Sequence, residues 1–112
     1  MANAVANIID HLKARGHLKA IDVANVAAVS PATVSRWTTG KAFPHLKTQL
    51  LISNLRYIVD RLAELYSPDE TRVWLYSPHR LLGGERAIDL IHRGQADEVL
   101  AVIESLAEGT YT

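Results

Sequence analysis

From Ala20 to Thr39 the chain reads AIDVANVAAVSPATVSRWTT, and its apolar positions change phase once. Val23, Ala24 and Ala27 share one helical face, Val29 lies at a break, and Val34 and Trp37 resume the helical period beyond it. Ser30-Pro31 marks the restart: a serine accepts hydrogen bonds from the free N–H groups of a helix start, and proline fits the first helical position. The pattern predicts two short helices across a tight turn. The second presents Ala32, Thr33, Ser35, Arg36 and Thr39 outward, and the spacing of Trp37 with Val34 assigns Trp37 to the core.

The same reading extends along the chain. Val5, Ile8, Ile9 and Leu12 predict a first helix from about Asn3 to Arg15, stopped by a glycine cap at Gly16. Lys41 to Leu46, with Pro44, reads as a loop. Lys47 to Tyr66 is the longest helical candidate, roughly 30 Å at 1.5 Å per residue. Leu51, Leu55, Ile58, Leu62 and Leu65 form its main stripe, which Leu50, Ile52, Val59 and Tyr66 widen. Two arrangements fit so broad an apolar surface: a spine shared with a C-terminal subdomain or a second protomer, or the central core helix of a monomer. Ser67-Pro68-Asp69-Glu70 starts a further helix, and Ser77-Pro78 repeats the signal before Gly83-Gly84. Ala87 to Arg93 and a last helix from near Gln95 complete the chain, the latter with Ala96, Val99, Leu100, Ile103 and Leu106 on one face and Gly109 at its end. No alternating run is long enough for a strand, so the fold class is all-α.

At 112 residues and 48% apolar content the chain can bury one shared core. It contains no cysteine, which excludes disulfides and thiolate metal sites and fits a cytoplasmic protein. Polar residues interrupt every apolar run, so neither a signal peptide nor a membrane span is expected. The zero net charge conceals an asymmetry. Residues 1–56 carry seven basic and two acidic residues, whereas residues 57–112 carry five basic and ten acidic ones. Such a division suggests two partners, one polyanionic and one a protein. Five scattered histidines lack paired ligand spacing, no glycine-rich loop follows a strand, and Ser77 with His79 has no oxyanion donors in view. No enzyme activity, metal or cofactor is expected.

Two stretches resemble a known family. AIDVANVAAVSPATVSRWTT resembles an Xre-type helix-turn-helix, with the usual alanine at Ala24 and the usual branched residue at Val34, but with Ala28 where the turn normally opens with glycine. WLYSPHRLLGGERAIDLIHRGQADEVLAVIESLAEGTYT resembles the toxin-binding domain of Xre/MbcA/ParS antitoxins, in its Trp74-Leu75, Pro78, Leu81-Leu82, Gly83-Gly84, Leu90-Ile91, Gly94, Val99 and Gly109. His79 stands where the family commonly has Asn, and Ala87 where it commonly has Pro.

The resemblance implies a helix-turn-helix domain (1–46), a connecting and dimerising helix (47–66) and a toxin-binding subdomain (67–112). It also implies a RES-domain, NAD-consuming toxin encoded nearby, bound through Trp74, Pro78, His79, Arg80, Gly109, Thr110, Tyr111 and Thr112, with the chain's end covering the toxin's active-site entrance. Operator DNA would be met by Ser30, Ala32, Thr33, Ser35, Arg36, Thr39 and Lys41 of a homodimer, Arg36 contacting either a guanine or a phosphate. The alternative is a free-standing helix-turn-helix regulator that uses the C-terminal module for dimerisation or another partner.

Overall fold

A computed structural model describes residues 4–109. Its helices are α1 (Ala4–Gly16), α2 (Ala20–Ala27), α3 (Pro31–Thr38), α4 (Leu46–Ala63), α5 (Pro68–Tyr76), α6 (Ala87–His92) and α7 (Ala96–Ala107). All seven share one core, which agrees with the all-α expectation. α4 packs against α1 and α2 and also against α5, α6 and α7, so it is the spine on which both ends of the chain rest. Ile52 and Val59, two of the residues that widen its apolar surface, are buried within this one chain, whereas Leu50 is exposed. The helix stops at Ala63, so Leu65 falls outside its stripe and is exposed as well.

The helix pair forms as its local signals require. The Ser30 hydroxyl accepts from the Thr33 N–H at 3.2 Å, Pro31 opens α3, and Val34 and Trp37 are buried. Ala28 takes the left-handed conformation (φ 58°, ψ 45°) that glycine would adopt without strain. Val29 N–H then bonds Ala24 O at 3.1 Å, the six-to-one closure of a glycine-type helix end, so the turn keeps its usual geometry despite the side chain.

Three local expectations are corrected. Gly16 is the last residue of α1 and does not cap it; His17 takes the left-handed conformation (φ 49°). Gly16 is instead a packing residue, because a Cβ there would lie 3.2 Å from Val59 Cγ1 and 3.5 Å from Thr71 Cγ2. Ser77-Pro78 starts no helix: the Ser77 hydroxyl donates back to Val73 O at 2.6 Å and so closes α5. Pro78–His79 (β1) then pairs antiparallel with Glu85–Arg86 (β2), Pro78 opposite Arg86 and His79 opposite Glu85. A two-residue ribbon is too short to show alternation in sequence. Gly83 and Gly84, both at positive φ, permit the tight return between its strands after a single 3-10 turn at Arg80–Leu82.

Candidate functional site

The residues expected to meet DNA come together. Ser30, Ala32, Ser35, Arg36, Thr39 and Lys41 are exposed on α3 and the turn after it, with Thr33 half-buried among them. The Thr33 hydroxyl lies 3.1 Å from the Ser30 hydroxyl and accepts from Arg36 Nη2 at 3.1 Å, which orients the guanidinium along the outer face. The Thr39 hydroxyl is spent on the carbonyls of Ser35 and Arg36, so it closes the helix and presents little to a ligand. Beside this face a cleft of about 570 Å³ between α1, α2 and α3 is lined by Lys13, Lys19, Ser35 and Thr38 together with Asp10.

Ion pairing separates the two halves. Among the described residues, no salt bridge uses Lys13, Arg15, Lys19, Arg36, Lys41, Lys47 or Arg56, the cations of the first half. In the second half Arg61 pairs with Glu64 and Glu104, Arg72 with Asp22, Arg86 with Asp89 and Arg93 with Glu85. Arg80 is the exception, exposed and outside every one of these pairs.

A polar clasp joins the halves. Asp22, buried in α2, accepts from Arg72 Nη1 and from the Tyr76 hydroxyl of α5, both at 2.5 Å, and from Lys19 N–H at 2.6 Å. Burial pushes its carboxyl up, but these three donors outweigh that and hold it below the usual aspartate value. Burial, with the bond to Asp22, raises the Tyr76 phenol. Asn25 donates to the same Tyr76 oxygen at 3.2 Å, and the Arg72 and Arg86 guanidinium groups lie 5.1 and 5.7 Å from the ring centre. A second link runs from His92 Nδ1–H to Val26 O at 2.7 Å. Asp22 escaped sequence reading because its two side-chain partners, Arg72 and Tyr76, lie fifty and more residues away. The available signal was a lone carboxylate on the buried side of an apolar helix.

Around Trp74 the toxin-binding candidates separate into a wall and its rims. Trp74 is only 9% exposed, so its ring packs into the module and forms a wall of this surface. His79 stacks on it at 4.2 Å between ring centres and donates from Nε2 to Trp74 O at 2.7 Å. The imidazole thus fills the place where the family has Asn, and Gly84 N–H bonds His79 O at 2.9 Å to hold the loop. Ala87, in the other departing position, is fully buried at the start of α6. Two hollows share the Tyr66, Trp74 and His79 wall. One, about 390 Å³, is rimmed by Val73, Asp69 and Glu70; the other, about 250 Å³, by Arg80, Leu81, Val102 and Leu106. Val73 and Leu81 are exposed, at 64% and 46%. Pro78 and Gly109 are also exposed, whereas Thr110, Tyr111 and Thr112 lie outside the described residues.

Nothing in this arrangement assembles a nucleophile with its base. Four of the five histidines are bonded in ones, to Asp60, Asp69, Trp74 O and Val26 O, and no cluster of three metal-ligating side chains exists among the described residues. None of the described helices is long and apolar enough to cross a membrane.

A pair of short helices across a tight turn and a small C-terminal helical module thus rest on the one spine helix α4. Residues 61–109 match the family model of the antitoxin Xre/MbcA/ParS C-terminal toxin-binding domain. The chain is 34% identical over 109 residues to the mycobacterial cidal antitoxin MbcA of Mycobacterium tuberculosis, covering 97% of this chain and 96% of that one. It is also 34% identical over 106 residues to the probable mycobacterial cidal antitoxin Rv3188 of the same organism, covering 95% and 90%. The crystal structure of the M. tuberculosis MbcT-MbcA toxin-antitoxin complex contains a chain that superimposes with a TM-score of 0.85 at 34% identity, covering 98% of this chain and 99% of that one. The chain belongs to the Xre/MbcA/ParS antitoxin family. It is an antitoxin of a toxin-antitoxin system, a non-enzymatic class.

Proposed function

We propose that this antitoxin neutralises a RES-domain, NAD-consuming toxin encoded beside it by direct binding, and that it represses its own operon as a homodimer through α3. The observation that carries the toxin reading is the pair of hollows joined at Tyr66, Trp74 and His79, with Val73 and Leu81 exposed at their rims and Arg80 unpaired. Exposed aliphatic side chains around a fixed aromatic wall are the composition of an interface centre, and an arginine free of internal carboxylates can meet a partner's acid. All of these residues lie inside the segment that the family model covers. The chain's end, with Tyr111, serves in this reading as the segment that enters the toxin's substrate site.

The test is copurification with the neighbouring gene product and rescue of toxin-expressing cells. Val73→Asp combined with Leu81→Asp should abolish both while leaving the helical signal intact. Truncation after Glu108 should keep binding but impair rescue. A double variant that still binds and rescues would overturn this surface assignment.

The DNA reading is favoured by a separate observation, the first-half cations that no carboxylate neutralises. Free lysines and arginines around an exposed helix suit phosphate contact, and affinity so built falls steeply with salt. Absence of a RES-type neighbour, with operator binding intact, would favour the free-standing regulator instead.

A further inference from the structure

We infer that α4 carries a self-pairing seam, Leu46, Leu50, Ser53 and Tyr57, on which a second copy of this chain docks antiparallel. The inference rests on the homodimer reading above and supplies its surface. Leu46, Leu50 and Tyr57 are 72%, 57% and 55% exposed, and Phe43 in the loop before α4 is 71% exposed. With Ser53 they repeat at intervals of four, three and four residues, the spacing of a two-helix seam. This stripe is distinct from the buried Leu51, Leu55, Ile58 and Leu62 side that holds the chain's own core.

Charge and size choose the occupant and its direction. In the antiparallel register Leu46 meets Tyr57 of the second copy, and Leu50 meets Ser53 of the second copy, so a large side chain faces a small one at the two-fold axis. The flanking positions then set Lys47 near Asn54 and Arg56 near Gln49 of the second copy, each cation against an amide oxygen. A parallel pairing would set Arg56 against Arg61 and Tyr57 against Tyr57. Only seven residues separate the seam's Leu46 from the end of α3 at Thr38, so one two-fold axis would serve both the seam and a pair of recognition helices.

Sedimentation of the full chain tests the seam. The wild type should run at about twice 12.4 kDa at micromolar concentration, and Leu50→Glu should raise the dissociation constant about a hundredfold or more. Leu50 is exposed, so circular dichroism should show unchanged folding. Because the chain has no cysteine, Ser53→Cys supplies a single thiol that a short bifunctional reagent should link between copies. Glu64→Cys should not link, since antiparallel geometry sets those positions more than about 30 Å apart. A wild-type dimer that Leu50→Glu leaves intact overturns the seam but keeps the dimer. Linking at both thiols overturns the antiparallel direction. A monomeric wild type overturns seam and dimer together, and loss of toxin copurification on Leu50→Glu without any change in mass would give this face to the toxin.

Discussion

The two halves of the molecule hold similar numbers of cations but use them differently. In the first half seven lysines and arginines, spread over α1, α3, α4 and the loops between them, stand without a carboxylate partner, whereas four of five second-half arginines are tied into ion pairs. Paired charge contributes little to an outside partner's affinity, since its field is already neutralised. Unpaired charge reaches solvent and any polyanion there. The net charge of zero therefore describes neither surface, and Arg80, alone unpaired among the arginines of its half, is the one free to meet a protein partner.

The largest expected effect comes from cutting the connection between the halves. Asp22→Ala removes the acceptor of Arg72, Tyr76 and Lys19 N–H and leaves the Tyr76 hydroxyl half-buried; because Arg72 remains partly solvated, the loss should be about 3 kcal/mol or somewhat less, read by urea denaturation. The same contact makes a pH prediction. Asp22 is held below its unfolded value of about 3.9, so its contribution is complete above roughly pH 5 and disappears as pH falls through the folded value. Asp22→Asn should therefore be less stable at neutral pH and should lack that part of the acid-induced loss.

Next in size are the contacts of α3. Arg36→Ala should weaken operator binding by about 1 to 3 kcal/mol if the guanidinium reads guanine, and nearly uniformly across sequences if it holds phosphate. Lys41→Ala should flatten the salt dependence of binding by about one phosphate contact. Both are read by fluorescence anisotropy over a salt series. The smallest effect sharpens the turn between α2 and α3: Ala28→Gly relieves a left-handed alanine but adds freedom to the unfolded chain, for a net stabilisation of about 0.5 to 1 kcal/mol.

What sequence revealed and what it hid divide along the range of the interactions. Ser30-Pro31 and Ser67-Pro68-Asp69-Glu70 were legible because a cap, its proline and its hydrogen-bond partner all lie within four residues. Ser77-Pro78 carries the same letters and does otherwise, since its hydroxyl turns back to Val73 and the following chain is recruited into a ribbon with Glu85–Arg86. Gly16 was legible as special but for the wrong reason; what it requires is the absence of a Cβ against Val59. Among site residues, the α3 face followed from helical phase alone. Trp74 was found by resemblance, but its depth was not legible, because motif strength does not state how far the surrounding chain covers a ring. The Asp22 clasp and the exposed face of α4 depend on which side of each helix the rest of the chain covers, which periodicity cannot state for a helix apolar on several sides.

In the proposed function the two surfaces work separately, α3 on DNA and the Val73–Leu81 region on the toxin. It is tested most directly by assaying two double variants, Arg36→Ala with Lys41→Ala and Val73→Asp with Leu81→Asp, side by side for operator binding and for copurification with the neighbouring toxin. The first should lose operator binding and keep the toxin, and the second should do the reverse. Loss of toxin by the α3 variant while its fold is intact, or retention of toxin by the Val73→Asp, Leu81→Asp variant, would contradict it.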